Sequence, residues 1–208
     1  MMGKEKWVEV IKDFHEKELP EIIPRELEID FELDIKRAVS IIGPRRAGKT
    51  YEMLLLIDKI KSKYGIKRVL YVNFERADLE SISNKDLINM LEAYYELYPK
   101  NKNIKIWLFL DEIQNVSGWE LFVRRLVDLK KHVVVTGSNA SLLSKELGTK
   151  LTGRHLNHEL FPFSFKEFLK INKESPSISS FEKYLSEGGF AEYLKLKRPD
   201  VLQELLRD

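Results

Sequence analysis

An apolar segment, a glycine-bounded loop and an amphipathic helix follow one another without a break between residues 38 and 61. The segment 38–42 is short and apolar, which predicts a buried strand. Apolar residues then recur at helical spacing over 49–61, and the connecting loop opens with Gly43. A helix that begins directly after such a loop has backbone N–H groups without helical partners in its first turn. The arrangement therefore predicts an anion-binding site at the start of this helix.

The same alternation of strand and helix continues along the chain. Further strands are predicted at 69–74, 104–110, 132–136 and 154–160, and further helices at 85–98 and 118–129. Strands that alternate with helices in this way pack as a parallel sheet covered by helices on both faces. The predicted fold class is therefore α/β, a three-layer sandwich whose functional loops gather at the carboxyl edge of the sheet.

Both ends of the chain add helical segments to this core. Residues 4–18 contain an apolar stripe that predicts a helix docked on the sheet, formed by Trp7, Val10, Ile11 and Phe14. Beyond the core, short helices are predicted at 165–171, 181–186 and 199–207, with the Ser-rich stretch 175–180 as a linker. We divide the chain into an N-terminal helix and linker (1–36), a core (37–160) and a lid-like helical region (161–208), which we expect to be truncated.

The composition excludes several classes of protein. With 43% hydrophobic and 33% charged residues, the chain is too apolar to be disordered, and it has no apolar run long enough to cross a membrane. The absence of cysteine excludes disulfides, thiolate metal sites and cysteine nucleophiles. The N-terminus does not read as a signal peptide, so we expect a cytoplasmic protein without a membrane partner. The net charge is +2, and one basic cluster is either a DNA contact or a solvated face: Lys59, Lys61, Lys63, Lys67 and Arg68.

The loop fits the phosphate-binding pattern G-x-x-x-x-G-K-[ST]. Its eight residues are Gly43, Pro44, Arg45, Arg46, Ala47, Gly48, Lys49 and Thr50. In such a loop Lys49 reaches the β- and γ-phosphates of a nucleotide, and Thr50 gives its hydroxyl to Mg²⁺. Arg45 and Arg46 either touch phosphate or are solvated or ion-paired. We include Tyr51, the next residue, among the candidate nucleotide contacts.

A second predicted strand ends in two acidic residues. The apolar run 106–110 leads directly into Asp111 and Glu112, so both carboxylates reach the sheet edge that carries the loop. Successive side chains on a strand point to opposite faces. We therefore expect Asp111 to turn towards a Mg²⁺ ion, and Glu112 to turn towards the water beyond the γ-phosphate as the general base.

A third predicted strand, 132–136, ends at the same edge of the sheet. The polar residues at its tip are Thr136, Ser138 and Asn139. They either sense the γ-phosphate and position the water, or form an ordinary turn after the strand.

Four stretches together resemble a known family. They are GPRRAGKT (43–50), LFLDEIQ (108–114), VVVTGSNASLLS (133–144) and LTGRHLNHELFPFSFKEFL (151–169), with weaker similarity in YVNFE (71–75) and EGGFAEYL (187–194). In this order they are similar to the P-loop ATPases of the AAA superfamily found in archaea and bacteria, whose longer members carry a C-terminal nuclease-like or winged-helix region. The chain departs from the family pattern at Tyr51, where a small polar residue is usual, and at Ala191, where proline is usual.

The resemblance implies a five-stranded parallel sheet in which an additional strand separates the phosphate-loop strand from the acidic strand. It also implies ATP as the nucleotide and a glutamate as the base. By the same resemblance Arg154 is a γ-phosphate sensor or an arginine finger, acting in its own chain or in a neighbouring copy. The alternative for Arg154 is a structural ion pair that holds the fifth strand.

The favoured function is Mg²⁺-dependent hydrolysis of ATP to ADP and phosphate, which would switch the conformation of the helical region or of an attached partner. Two alternatives stay open: a nucleotide-gated binding module with negligible turnover that recruits protein or DNA, and a small-molecule kinase. Kinases of this size usually carry an arginine-rich lid, and none is visible in the sequence. The guanine-reading pattern N-K-x-D is broken by Leu87, so ATP is expected rather than GTP. A homo-oligomer is compatible with the sequence.

Overall fold

Five parallel strands form the sheet in the structure, a computed structural model that describes residues 2–30, 32, 37–138 and 153–196. In chain order the strands are β1 (Ala38–Ile42), β2 (Val69–Asn73), β3 (Trp107–Asp111), β4 (His132–Gly137) and β5 (His155–Glu159). Their order across the sheet is β2-β3-β4-β1-β5. Strand β4 therefore pairs with both β1 and the acidic strand β3, which confirms the predicted additional strand.

Helices cover both faces of this sheet. Those described are α1 (Lys4–Glu16), α2 (Lys49–Tyr64), α3 (Asn84–Leu97), α4 (Trp119–Asp128), α5 (Phe165–Asn172), α6 (Ile178–Glu187) and α7 (Ala191–Leu196). In β3, Trp107 and Phe109 pack on the face covered by α2, whereas Leu108 and Leu110 pack on the face covered by α3 and α4. This alternation confirms the three-layer α/β sandwich. None of these helices is long and apolar enough to span a membrane.

The N-terminal helix α1 packs against α3 and the edge strand β2. Its buried residues belong to the predicted apolar stripe: Trp7, Val10 and Ile11. The His15 ring joins the same elements. Its Nε2 donates to the Val69 carbonyl at 2.9 Å, which leaves Nδ1 to accept the Tyr98 hydroxyl at 2.9 Å. Burial lowers the pKa of His15 below its ordinary value, so the ring that makes these two bonds is neutral.

The C-terminal helices share a small apolar core formed by Phe163, Phe168 and Leu194. The backbone segments approach closely there. The Phe163 N–H donates to the Gly189 carbonyl at 2.7 Å, and a Cβ at Gly189 would lie 2.2 Å from the Phe163 carbonyl oxygen. Glycine is therefore required at position 189 for α7 to lie against the segment that leads into α5.

Two predicted elements need correction, and a third lies outside the described residues. The strand predicted at 104–110 begins only at Trp107, because a 3₁₀ turn occupies Pro99–Asn103 and the chain must first re-enter the sheet. The stretch 175–180, predicted as a linker, contains the start of α6. Ser177 caps that helix by accepting the Ser180 N–H at 3.0 Å. The helix predicted at 199–207 lies outside the described residues.

Candidate functional site

The loop between β1 and α2 requires glycine at both ends. At Gly43 φ is +151°, and a Cβ would lie 2.0 Å from the carbonyl oxygen of Leu160. The two segments are this close because the Leu160 N–H donates to the Ile42 carbonyl at 2.8 Å. At Gly48, the N-cap of α2, φ is +95°. These backbone conformations bring the N–H groups at the start of α2, which lack partners within the helix, to the carboxyl edge of the sheet.

Lys49 is the first residue of α2, and its side chain is buried. The ammonium donates to the carbonyl oxygens of Gly43 at 3.2 Å and Pro44 at 3.0 Å. It also lies 3.8 Å from Glu112 Oε1. Burial lowers the pKa of Lys49, and the nearby Glu112 and Asp111 carboxylates oppose this effect. The structure thus brings the loop lysine and the acidic strand together.

Asp111 is the last residue of β3, and it is fully buried. The Tyr71 hydroxyl donates to Asp111 Oδ2 at 3.1 Å, and the Thr136 hydroxyl donates to Oδ1. Burial raises the pKa of Asp111, whereas hydrogen bonds from Thr136, Thr50 and Tyr71 oppose the rise. The contact with Thr50 places the two predicted magnesium ligands next to each other.

Glu112 follows directly but leaves the strand. Its backbone is left-handed, with φ +52°. Its Oε2 accepts hydrogen bonds from the Ser138 backbone N–H at 2.9 Å and from the Gln114 side-chain amide. The two carboxylates therefore contact different groups. The left-handed backbone at Glu112, not the alternation of a continuing strand, separates them.

A single hydroxyl joins the two acidic residues. Thr136, which is fully buried in β4, accepts the Glu112 backbone N–H at 2.9 Å and donates its own proton to Asp111. The hydroxyl accepts through a lone pair and donates its one proton, so it can serve both residues at once. Thr136 therefore contacts both acidic residues from the neighbouring strand.

Three polar residues beside the acidic pair are absent from the predicted site: Tyr71, Glu75 and Gln114. Burial, together with the Glu112 and Asp111 carboxylates, raises the pKa of Glu75, so a third carboxyl group lies near the pair. Gln114 bonds Glu112 through its amide nitrogen, while its Oε1 is buried and has no partner among the described residues. Their only signal in the sequence is their place within the stretches YVNFE and LFLDEIQ.

Several predicted contacts lie at the margin of the loop. Arg46 pairs with Glu192 of α7 at 2.8 Å, which corresponds to its ion-paired alternative. Arg45 is exposed, and its charge acts on Lys49. The Tyr51 residue is 52% exposed. A nucleotide contact by any of these side chains stays a prediction, and Asn139 lies outside the described residues.

Arg154 lies at the amino ends of the strands, whereas the loop lies at their carboxyl ends. Its carbonyl accepts the Ala38 N–H at 2.9 Å, at the amino end of β1, whereas the loop follows the carboxyl end of that strand. Its guanidinium pairs with Asp128 at the end of α4, and the side chain is 48% exposed. A strand of five residues spans roughly 16 Å. The structure therefore does not bring Arg154 to the phosphate loop of its own chain.

Thr50 and Asp111 fit a magnesium ion in their chemistry. Mg²⁺ prefers oxygen ligands, and it commonly takes one or two from protein and the rest from water and substrate phosphates. A hydroxyl and a buried carboxylate in mutual contact supply such a pair. No group of three or more His, Cys, Asp or Glu side chains able to hold a metal occurs in the part of the chain that the structure describes. A pair of oxygen ligands suits a Mg²⁺ ion whose remaining ligands are water and substrate phosphates.

Comparisons with known proteins agree with this geometry. The profile described as an AAA domain matches residues 35–169. An uncharacterized protein of Methanocaldococcus jannaschii is 38% identical over 200 residues, covering 90% of this chain and 42% of that protein. An uncharacterized protein of Haemophilus influenzae is 37% identical over 169 residues, covering 76% of this chain and 40% of that protein. The chain thus spans about two fifths of the length of these relatives.

The fold is similar to that of several solved structures. AMPPCP-bound DnaA from Aquifex aeolicus matches with a TM-score of 0.50 and 18% identity, over 80% of this chain and 54% of that one. At this identity the likeness concerns the fold alone, a parallel sheet with flanking helices. The family match covers more than half of the chain and, with the loop geometry, supports nucleotide binding. The chain belongs to the AAA domain family, within the P-loop ATPases of the AAA superfamily.

Proposed function

We propose that this chain binds ATP together with Mg²⁺ and hydrolyses it to ADP and phosphate. The observation that carries the proposal is the approach of Lys49 to Glu112 Oε1 across 3.8 Å. This approach brings together, at the carboxyl ends of the strands, a loop that can bind phosphate and a carboxylate that can activate water. The known relatives are longer than this chain, so the activity of a whole protein is part of the same proposal.

Each residue has an assigned role in the reaction. Glu112 accepts a proton from the attacking water. The water oxygen bonds to the γ-phosphorus while the bond to the β,γ-bridging oxygen breaks, and that electron pair leaves with ADP. Hydrogen bonds from Ser138 and Gln114 hold Oε2 of Glu112, so Oε1 is the oxygen nearer Lys49 and the reaction.

Lys49 and the N–H groups at the start of α2 bind the phosphate charge. Thr50 and Asp111 would hold Mg²⁺, which neutralises charge that develops on the phosphate oxygens. Ser138, at the tip of β4, donates its N–H to Glu112 and is the residue that we assign to sensing the γ-phosphate.

A neighbouring copy would supply Arg154. Within one chain this residue lies at the amino ends of the strands and the phosphate loop at their carboxyl ends, so an arginine finger must act between chains. Its side chain is 48% exposed and is therefore accessible to a second copy. The active form that we propose is accordingly a homo-oligomer, in which Arg154 exchanges Asp128 for the phosphates of a neighbour.

The helical region would respond to the cycle. Arg46, in the phosphate loop, pairs with Glu192 of α7, so a change in the loop reaches the last described helix directly. We propose that this region, or a partner attached to it, changes conformation between the ATP and ADP states.

The test is phosphate release from ATP and Mg²⁺ by the purified chain. Glu112→Gln is expected to lower turnover at least about 100-fold, since a general base contributes that much, while ATP still binds. Glu182→Gln, an exposed carboxylate on α6, is the matched control and keeps its activity. Binding without release by the native chain would instead favour a nucleotide-gated binding module. Phosphate found on an added nucleoside rather than in water would favour a kinase.

A further inference from the structure

Arg25, in the segment between α1 and β1, makes an unusual set of contacts for a linker residue. Its Nη1 donates to the carbonyl of Ala47 in the phosphate loop at 2.9 Å. Its Nη2 donates to the Phe161 carbonyl at 2.7 Å, and its Nε donates to Glu167 of α5 at 2.8 Å. One guanidinium thus connects the linker, the phosphate loop and the helical region.

The surroundings of Arg25 hold the guanidinium in one position. The side chain is 8% exposed and its partner Glu167 is 6% exposed, so both charges are buried as a pair. The Cζ atom lies 4.4 Å from the centre of the Phe163 ring, over its face. A planar fork with several N–H donors at fixed angles is a property of arginine that lysine does not share.

Glu167 in turn belongs to the beginning of α5. Its Oε2 accepts the Ser164 N–H at 2.8 Å, and the Ser164 hydroxyl accepts the Glu167 N–H at 3.2 Å, which completes a capping box. Its Oε1 also accepts the Glu26 N–H at 2.8 Å. The carboxylate that pairs with Arg25 is therefore the same group that caps the N-terminus of α5.

The contact with Ala47 has a consequence for the loop. In a trans peptide the C=O and the following N–H point in opposite directions. Holding the Ala47 carbonyl on the side of Arg25 therefore directs the Gly48 N–H away from Arg25. Gly48 caps α2, so this N–H belongs to the group that the proposed function assigns to phosphate.

We propose that Arg25 is a positioning residue of the phosphate loop, and that it transmits nucleotide binding from the Ala47–Gly48 peptide to the N-terminus of α5 through Glu167. This inference rests on the proposed function, because it requires that nucleotide occupies the loop. The Arg25 guanidinium is already bonded to Ala47, Phe161 and Glu167, so it acts on the nucleotide through the loop rather than by touching it.

The test compares Arg25→Lys with Arg68→Lys in the chain of 208 residues. Lysine at position 25 keeps the charge opposite Glu167 but loses the fork that reaches Ala47 and Phe161. Arg68 also donates to a backbone carbonyl, that of Lys105 at 2.8 Å, but lies away from the loop, so it is a matched control. Calorimetric titration with ATP and Mg²⁺ is expected to show roughly tenfold weaker binding for Arg25→Lys and native affinity for Arg68→Lys.

Amide hydrogen exchange supplies a readout that a merely structural residue would not change. In the native chain, saturating ATP is expected to slow exchange both in the loop 43–50 and at the start of α5. In Arg25→Lys, saturating ATP should still slow exchange in the loop but no longer at α5. Equal affinity of native and Arg25→Lys protein, or retained slowing at α5, overturns the inference while the proposed function stands.

A second variant decides the matter if Arg25→Lys does not fold. Glu167→Gln keeps the size of the side chain and removes the charge that faces Arg25. It is expected to fold, to bind ATP severalfold more weakly and to lose the slowing at α5, and native behaviour in both measurements counts against the inference. No heat from ATP with the native chain would contradict the proposed function itself.

Discussion

The Tyr71 hydroxyl donates a hydrogen bond to Asp111 Oδ2 at 3.1 Å, and it does so from β2 to the neighbouring strand β3. An edge strand that is separated from β1 by two other strands thereby reaches the predicted magnesium ligand. This donor opposes the effect of burial on the pKa of Asp111, so Tyr71 joins the candidate site from the weaker stretch YVNFE rather than from the loop or the acidic strand.

Replacing Tyr71 by phenylalanine should weaken the response to Mg²⁺. The hydroxyl opposes the rise that burial causes in the pKa of Asp111, so its loss raises that pKa further. A protonated carboxyl group cannot hold the ion, and the effect is therefore larger at pH 6 than at pH 8. We expect the Mg²⁺ concentration for half-maximal activity to increase roughly fivefold at pH 6, as one lost hydrogen bond of about 1 kcal/mol implies. Tyr95→Phe on α3 is the control, and an unchanged Mg²⁺ curve for Tyr71→Phe would contradict this role.

Mixing two inactive variants tests whether Arg154 acts between chains. Arg154→Ala and Glu112→Gln should each be inactive alone. In mixed oligomers, an intact Glu112 of one chain meets an intact Arg154 of another, so part of the activity returns. The measurement is phosphate release as a function of mixing ratio. Arg124→Ala, an exposed arginine of α4, should behave as native protein. No recovery in oligomers shown to be mixed speaks against a finger supplied by the neighbour.

The contribution of Glu167 to stability should depend on pH in a defined direction. Burial would raise its pKa, but hydrogen bonds from Arg25, Ser164 and Glu26 lower it below the ordinary value of 4.5. A carboxyl group whose pKa is lower in the folded state stabilises the fold above the unfolded pKa, and this stabilisation is lost as the pH falls through the folded value. Urea unfolding of native protein and Glu167→Gln should therefore differ most at pH 7 and converge below pH 4.5. A constant difference across this range would argue against an ionised Glu167.

Alanine substitutions at two glycines distinguish the cost of backbone strain from the cost of a steric clash. Gly43 and Gly65 both have positive φ, but a Cβ at Gly65 meets nothing within 4 Å, whereas one at Gly43 meets the Leu160 carbonyl at 2.0 Å. Gly65→Ala should cost about 1–3 kcal/mol of unfolding free energy from strain alone, because φ +85° with ψ 149° is a conformation that essentially only glycine adopts. Gly43→Ala should cost about 2–5 kcal/mol, because β5 must also move. Thermal or urea unfolding measures both, and equal costs would show that the Leu160 carbonyl yields easily.

Local patterns were sufficient for most of the fold. The strand and helix around the loop, β1 and α2, follow from apolar spacing and two glycines that lie within eight residues of each other. The position of β4 between β1 and β3 does not follow from spacing. It came from the family resemblance, because the order of strands depends on contacts between segments that are far apart in the chain.

The side-chain network of the site was only partly predictable. Lys49 and Glu112 could be identified from their motifs, since each motif states its own chemistry. Arg25 and Glu167 are 142 positions apart, and nothing in the sequence near either residue indicates that they meet. The prediction of a linker at 175–180 was wrong for a local reason. A serine-rich stretch suggests a linker, but the hydroxyl of Ser177, which also favours a turn, caps a helix.

The shared hydroxyl of Thr136 has a consequence for any intermediate stage of the cycle. Its one proton goes to Asp111, and one of its lone pairs takes the Glu112 N–H, so a single atom of β4 contacts both acidic residues. A movement of β4 relative to β3 would therefore shift the surroundings of the predicted ion ligand and of the predicted base together.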